Sequence, residues 1–142
     1  MTVQHRMVLG HIKAGLNYAM SLHAIVEAHE QGYAENMYLD SATRTKVEET
    51  GGANFLFVTK DGKVVTPKSS TILPSITRRS LVYVAKEYLG LEVEERPVYF
   101  DEVKDLQSVV FAEQQPLSLQ LERLLIMVRK SACQAVWMKW DQ

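Results

Sequence analysis

Two β-prone runs joined by a tight turn constrain the fold of this chain more than any other feature. Residues 54–59 read Asn-Phe-Leu-Phe-Val-Thr, and residues 64–66 read Val-Val-Thr. The four residues between them include Asp61-Gly62, and an Asp-Gly pair favours a hairpin because glycine tolerates a positive φ. The pattern therefore predicts an antiparallel β-hairpin.

Helical periodicity is found on both sides of this hairpin. The apolar residues Tyr18, Leu22, Ile25 and Val26 follow helical spacing and predict a helix over residues 16–30, with Gly32 as its C-cap glycine. A second helix is predicted to open at Ser75-Ile76-Thr77 and to close at Gly90; its repeating apolar residues are Leu81, Val84, Ala85 and Tyr88. We expect the aromatic side chains of these helices to lie in the core.

Three further short segments indicate strands. Residues 37–40 are typical of a buried strand, and residues 91–95 alternate like a half-buried one. Pro97 makes residues 98–100 an edge strand, because proline cannot donate a ladder hydrogen bond. We therefore expect an α+β fold, with a twisted sheet and flanking helices.

Composition excludes several classes of protein. Of the 142 residues, 46% are apolar, enough for one buried core and too many for a disordered chain. The formal net charge of −1 gives no basic field for nucleic acid, and no apolar run is long enough to span a bilayer. Neither the single Cys133 nor the four histidines form a metal-site pattern, so we expect no metal and a cytoplasmic protein.

Three polar features have the chemistry of a cofactor site. Lys13 could be a nucleophilic amine, or it could be a solvated surface lysine. Glu49 precedes Gly51-Gly52 and could extend into a cleft, although such glutamates more often face water. The helix start at Ile76 and Thr77 could hold a phosphate, or Ser75 or Thr77 could simply cap the helix. Pyridoxal phosphate needs all three: an amine, a carboxylate and a phosphate cradle.

Three segments carry a resemblance to a known family. They are Lys-Ala-Gly-Leu-Asn-Tyr at 13–18, Val-Glu-Glu-Thr-Gly-Gly-Ala-Asn-Phe at 47–55 and Ile-Leu-Pro-Ser-Ile-Thr-Arg-Arg at 72–79. In order and spacing they resemble the branched-chain amino-acid aminotransferases, which are class-IV aminotransferases of fold type IV. The resemblance runs over residues 11–105. It implies the C-terminal domain of that fold and transamination of Leu, Ile or Val with 2-oxoglutarate through pyridoxal 5′-phosphate.

The resemblance also implies residue roles. Lys13 matches the lysine that binds the cofactor aldehyde and then moves the substrate proton, as base and acid in turn. Tyr18 matches the tyrosine that hydrogen-bonds the cofactor's phenolic oxygen. Glu49 matches the glutamate that keeps the pyridine nitrogen protonated.

In the third segment, residues 72–79, Leu73 matches the leucine that packs on the cofactor ring. Ile76 and Thr77 match the phosphate-binding pair. Arg78 and Arg79 are left outside the site, because arginines in a first helical turn more often face solvent or a neighbouring strand. Another class-IV enzyme, such as a D-amino-acid aminotransferase or an aminodeoxychorismate lyase, shares the Lys, Tyr and Glu pattern and stays an alternative.

The two ends depart from the family. Residues 1–10 form an atypical start, residues 11–105 a partial class-IV C-terminal domain and residues 106–142 a divergent tail. A shifted reading frame from Leu106 allows a family-like Cys-Gly-Thr-Ala-Ala segment, so we expect a one-base deletion there and an accidental helical pattern over 117–128. We expect the family homodimer to be doubtful for such a fragment and its activity to be low or absent, with a non-catalytic interaction fragment as the other alternative.

Overall fold

A computed structural model describes residues 2–3, 11–112, 122 and 124. The helices are α1 (Gly15–Glu30), α2 (Ile76–Glu87) and a 3₁₀ helix (Phe100–Asp105). The strands are β1 (Thr2–Val3), β2 (Met37–Leu39), β3 (Lys46–Thr50), β4 (Asn54–Val58), β5 (Val64–Pro67), β6 (Val93–Arg96), β7 (Val98–Tyr99) and β8 (Ser108–Ala112).

The described strands form one mixed sheet in the order β1-β2-β3-β4-β5-β6. The short strand β7 pairs with β3, and β8 pairs with β4. The β1–β2 and β5–β6 pairs are parallel, and the other pairs are antiparallel. The expected α+β class is confirmed.

The predicted hairpin is confirmed. Strands β4 and β5 pair with Phe57 opposite Val65 and Val58 opposite Val64. Gly62 has a φ of 83°, the left-handed conformation for which the Asp-Gly signal selects. Both predicted helices are also present, and Gly32 follows α1 with a φ of 82°.

Strand β4 lies between two apolar clusters, and its alternating side chains supply both. Phe55 and Phe57 stack with ring centroids 5.2 Å apart in one cluster. Leu56 and Val58 point to the other, where Leu81 of α2 packs. Burying each such side chain contributes roughly 1.5–3 kcal/mol, so this strand organises the core.

Three strands were not predicted, and the first of them, β1, lies in the segment interpreted as an atypical start. Strand β3 carries three charged residues among its five, so it has neither the alternation nor the apolar run of a strand. Strand β8 lies inside the predicted divergent tail, yet it pairs with β4 along its length and buries Val110 and Ala112. Residues 108–112 therefore belong to the sheet. The predicted helical pattern over 117–128 falls almost wholly outside the described residues, and the origin of the tail stays a prediction.

The expectation that the helical aromatics lie in the core is wrong. Tyr18 of α1 is 43% exposed, and Tyr83 and Tyr88, on and just after α2, are exposed with their rings in edge-to-face contact. Leu22, on the apolar face of α1, is also exposed. Helical spacing identifies a face of the helix but does not show what covers it. Neither of the described α-helices is long and apolar enough to cross a membrane.

Candidate functional site

Two adjacent carboxylates are buried at the end of β3. Glu48 is 3% exposed and Glu49 is 7% exposed. Because side chains alternate along a strand, the two carboxylates point to opposite faces of β3. The sequence favoured a water-facing Glu49, but the structure buries it. A buried carboxylate is costly unless it is hydrogen-bonded, so the partners of Glu48 and Glu49 matter for stability.

Glu49 is held by donors from two different segments. The side-chain amide Nδ2 of Asn54 donates to Glu49 Oε2 at 2.9 Å, and the backbone amide of Leu73 donates to the same oxygen at 3.3 Å. Bonds to an ionised acceptor are roughly twice as strong as neutral ones. These two donors therefore compensate part of the cost of burying the Glu49 carboxylate.

The turn between β3 and β4 places Asn54 opposite Glu49. The hydroxyl of Thr50 accepts hydrogen bonds from the amides of Gly52 at 3.2 Å and Ala53 at 2.7 Å. The amide of Thr50 donates to the Ala53 carbonyl at 2.8 Å, which closes the turn. As a result Glu49 and Asn54 face each other in register across the antiparallel pair. Sequence reasoning quoted Asn54 within a motif but missed this role.

The first turn of α2 follows Leu73 by three residues. The hydroxyl of Ser75 caps the helix by accepting the Arg78 amide at 3.1 Å. The amides of Ile76 and Thr77 begin the helix, where helical geometry provides no intrahelical acceptor for them. Ile76 is exposed and Thr77 half-buried, so this end of α2 is accessible to an anion.

Arg78 lies on the other side of this turn. Its guanidinium donates to the Pro67 carbonyl at 3.3 Å and lies 3.6 Å from the carboxylate of Glu95 on β6. Arg79 is exposed. The expectation that these arginines face a neighbouring strand or solvent is confirmed.

Lys13 and Tyr18 lie at the start of α1, and both are exposed. Lys13 precedes the helix, whose first residues are fastened by Asn17, since its side-chain amide donates to the Ile12 carbonyl at 3.0 Å. Contacts within the described part of the chain join Glu49 to Leu73 but do not join Lys13 or Tyr18 to that pair. The structure thus brings part of the predicted set together and leaves the role of Lys13 and Tyr18 a prediction.

Comparison with known proteins gives one family. The family model described as amino-transferase class IV matches residues 3–113, most of the chain. A branched-chain-amino-acid aminotransferase of Helicobacter pylori J99 is 53% identical over 94 residues, which are 66% of this chain and 28% of that protein. One from Haemophilus influenzae is 51% identical over 102 residues, 68% of this chain and 30% of that protein. The chain thus spans about three tenths of the length of these relatives.

Solved structures give the same result. The branched-chain amino acid aminotransferase from Thermobaculum terrenum in its PLP-form matches with a TM-score of 0.70 at 32% identity, covering 88% of this chain and 46% of that one. The Escherichia coli enzyme of the same name matches with a TM-score of 0.67 at 34% identity, covering 75% of this chain and 35% of that one. Sequence and fold agree, and this chain belongs to the class IV aminotransferases.

Proposed function

We propose that this chain binds pyridoxal 5′-phosphate as part of a transaminase for branched-chain amino acids and 2-oxo acids. The observation that carries the proposal is the bond between the Leu73 amide and Glu49 in a chain of the class IV family. This bond attaches a buried carboxylate to residues 68–75, the connector between β5 and α2. The relatives named above support the substrate class.

The residues present fit this cofactor. A buried carboxylate with firm donors is what a protonated ring nitrogen requires, and Glu49 is such a group. The amides of Ile76 and Thr77, with the Thr77 hydroxyl, supply donors and the positive end of the α2 dipole to a phosphate. Leu73 lies between these two groups along the chain and would supply an apolar contact to the ring.

Each residue has a defined task in this proposal. Bound pyridoxal phosphate supplies an aldehyde that an amine can attack and a ring that withdraws electrons. Lys13 Nζ would provide the amine, and it would take the substrate Cα proton as a base and deliver it to the cofactor carbon as an acid. Glu49 keeps a proton on the ring nitrogen, and the Tyr18 hydroxyl holds the phenolic oxygen. A cytoplasmic location belongs to the same proposal.

Reductive trapping tests the cofactor site. We expect the purified chain to become yellow with pyridoxal phosphate and, after borohydride reduction, to carry the cofactor on Lys13 in a peptide mass map. Lys13→Ala should lose the label, whereas Lys60→Ala, a change at another exposed lysine, should keep it. Equal labelling of the wild type and Lys13→Ala would refute the assignment.

A substrate assay tests the reaction. The same preparation is incubated with leucine and 2-oxoglutarate, and glutamate formation is measured against D-alanine as a control amino acid. Glutamate from leucine supports the branched-chain assignment, and a preference for D-alanine contradicts it. A chain that labels Lys13 but transfers no amino group supports the cofactor part of the proposal and agrees with the low or absent activity expected of this fragment; the substrate class is then tested on a longer relative.

A further inference from the structure

The second buried carboxylate of β3 holds the same connector as Glu49, at a different place. Glu48 Oε1 accepts a hydrogen bond from the hydroxyl of Ser69 at 3.0 Å and another from the hydroxyl of Thr71. Both donors lie in residues 68–75, the connector between β5 and α2. Neither the family motifs nor the proposed cofactor contacts assign a role to Glu48.

Glu48, Ser69 and Thr71 form one cluster of hydrogen-bonding oxygens. Ser69 and Thr71 also contact each other, with their oxygens 2.6 Å apart, so three oxygen contacts share two hydroxyl protons. A group that only accepts can take both protons or leave one for the Ser69–Thr71 contact. The Thr71 amide donates to Ser69 Oγ at 3.2 Å, which links this cluster to the backbone of the connector.

Two consecutive residues of one strand therefore fasten one connector from two faces. Glu48 holds it at Ser69 and Thr71, and Glu49 holds it two residues later at the Leu73 amide. The Ser75 cap follows two residues after that, so hydrogen bonds attach the connector at several successive points before α2.

We propose that Glu48 is a positioning residue: it anchors the connector so that the Leu73 amide reaches Glu49 and the first turn of α2 is set relative to that carboxylate. That these groups face a cofactor rests on the proposed function. The anchoring itself is a property of the chain without cofactor.

Hydrogen exchange of the cofactor-free chain tests the anchor directly. Thr71→Val removes the hydroxyl with little change in shape, and Thr71→Ser restores it. We expect the amides of Leu73 and Arg78 to exchange about tenfold faster in Thr71→Val than in wild type, and near the wild-type rate in Thr71→Ser. The Leu91 amide, which lies beyond the far end of α2, donates to the carbonyl of Ala85 inside that helix. It is the internal reference, and its exchange rate should not change.

A matched control removes a hydroxyl elsewhere. Thr59 bonds within the β4–β5 turn, to the backbone of Lys63, and Thr59→Val should leave the Leu73 and Arg78 amides unchanged. Equal rates at these two amides in Thr71→Val and wild type would overturn the anchor, and so would an equal acceleration at Leu91, which indicates general destabilisation.

Changes at Glu48 provide a second and independent reading. Glu48→Gln keeps an acceptor oxygen and should protect Leu73 and Arg78 nearly as well as wild type, whereas Glu48→Ala should accelerate both. If the wild-type chain binds pyridoxal phosphate, the Glu48→Ala variant should bind it severalfold more weakly. The Glu48→Gln variant should bind it with nearly the wild-type affinity. Equal affinity in wild type and Glu48→Ala would overturn the positioning role. A wild-type chain that binds no pyridoxal phosphate would refute the proposed function, and the exchange rates would still decide the anchor.

Discussion

The side-chain amide of Asn54 lies 2.9 Å from the Glu49 carboxylate that it faces across the β3–β4 pair. Residues opposite each other in an antiparallel pair have closely spaced side chains, so the turn that sets the register also sets this bond. The Thr50 hydroxyl fixes that turn through the Ala53 amide. A short local motif thus orients a carboxylate before any ligand is present.

Asn54→Ala should therefore disturb Glu49 directly. The change leaves a buried carboxylate with one donor fewer, and we expect a loss of about 1–3 kcal/mol in the free energy of unfolding. Asn54→Asp should cost more near neutral pH, because it places a second carboxylate against the first. Urea unfolding of both variants at neutral and acidic pH checks this prediction. An Asn54→Asp variant that is as stable as wild type near neutral pH would contradict it.

Much of this fold could be predicted from local signals. The hairpin, both α-helices and the strands near residues 37 and 93 follow from turn chemistry and periodicity, and they are present. Strand β3 could not be predicted in that way, because its two glutamates are buried and have partners distant in sequence. Glu48 accepts hydrogen bonds from hydroxyls more than twenty residues away, and Glu49 accepts one from the equally distant Leu73 amide as well as one from nearby Asn54.

The candidate site shows the same division. The start of α2 can be predicted from the sequence because it depends on nearby residues, but the sequence left open whether Ser75 or Thr77 caps it, and the structure shows Ser75. The contact between Leu73 and Glu49 depends on tertiary structure and could not be predicted, whereas the resemblance to the family implies a role for each residue without it. The exposed Leu22 and Tyr83 show the limit of helical spacing, since periodicity does not reveal whether another surface covers a face.

Ser75→Ala should destabilise the start of α2. The Ser75 hydroxyl accepts the Arg78 amide, and loss of an N-cap costs about 1 kcal/mol. Ser75→Asp should retain stability because aspartate is an equally good cap. Ser80→Ala, a serine inside the same helix, serves as the control and should be neutral or slightly stabilising. A larger loss for Ser80→Ala than for Ser75→Ala, measured as the urea midpoint, would show that the cap contributes little.

Gly62 should tolerate asparagine better than valine. Its φ of 83° lies in the left-handed region, which β-branched residues rarely adopt and asparagine adopts more readily. We expect Gly62→Val to lower the free energy of unfolding by roughly 1–2 kcal/mol and Gly62→Asn by less than half of that. Thermal unfolding by circular dichroism measures the difference. Equal losses in the two variants would indicate that the turn relaxes away from a positive φ.

Asp40 should make the stability of the loop between β2 and β3 depend on pH. Partial desolvation raises the pKa of this carboxyl, but hydrogen bonds from the amides of Lys46, Thr43 and Thr45 and from the Thr43 hydroxyl outweigh it, and the pKa falls well below its usual 3.8. A depressed folded-state pKa gives stability that is present above the unfolded value and is lost as pH falls through the folded value. Asp40→Asn should thus cost about 2 kcal/mol near neutral pH, and its difference from wild type should shrink as pH falls below about 4. Asp105→Asn changes an exposed carboxylate, and its free energy of unfolding should differ little from that of wild type both near neutral pH and in acid. An Asp40→Asn deficit that stays constant from neutral pH to strongly acidic pH would show that the ionised carboxylate is not what holds the loop.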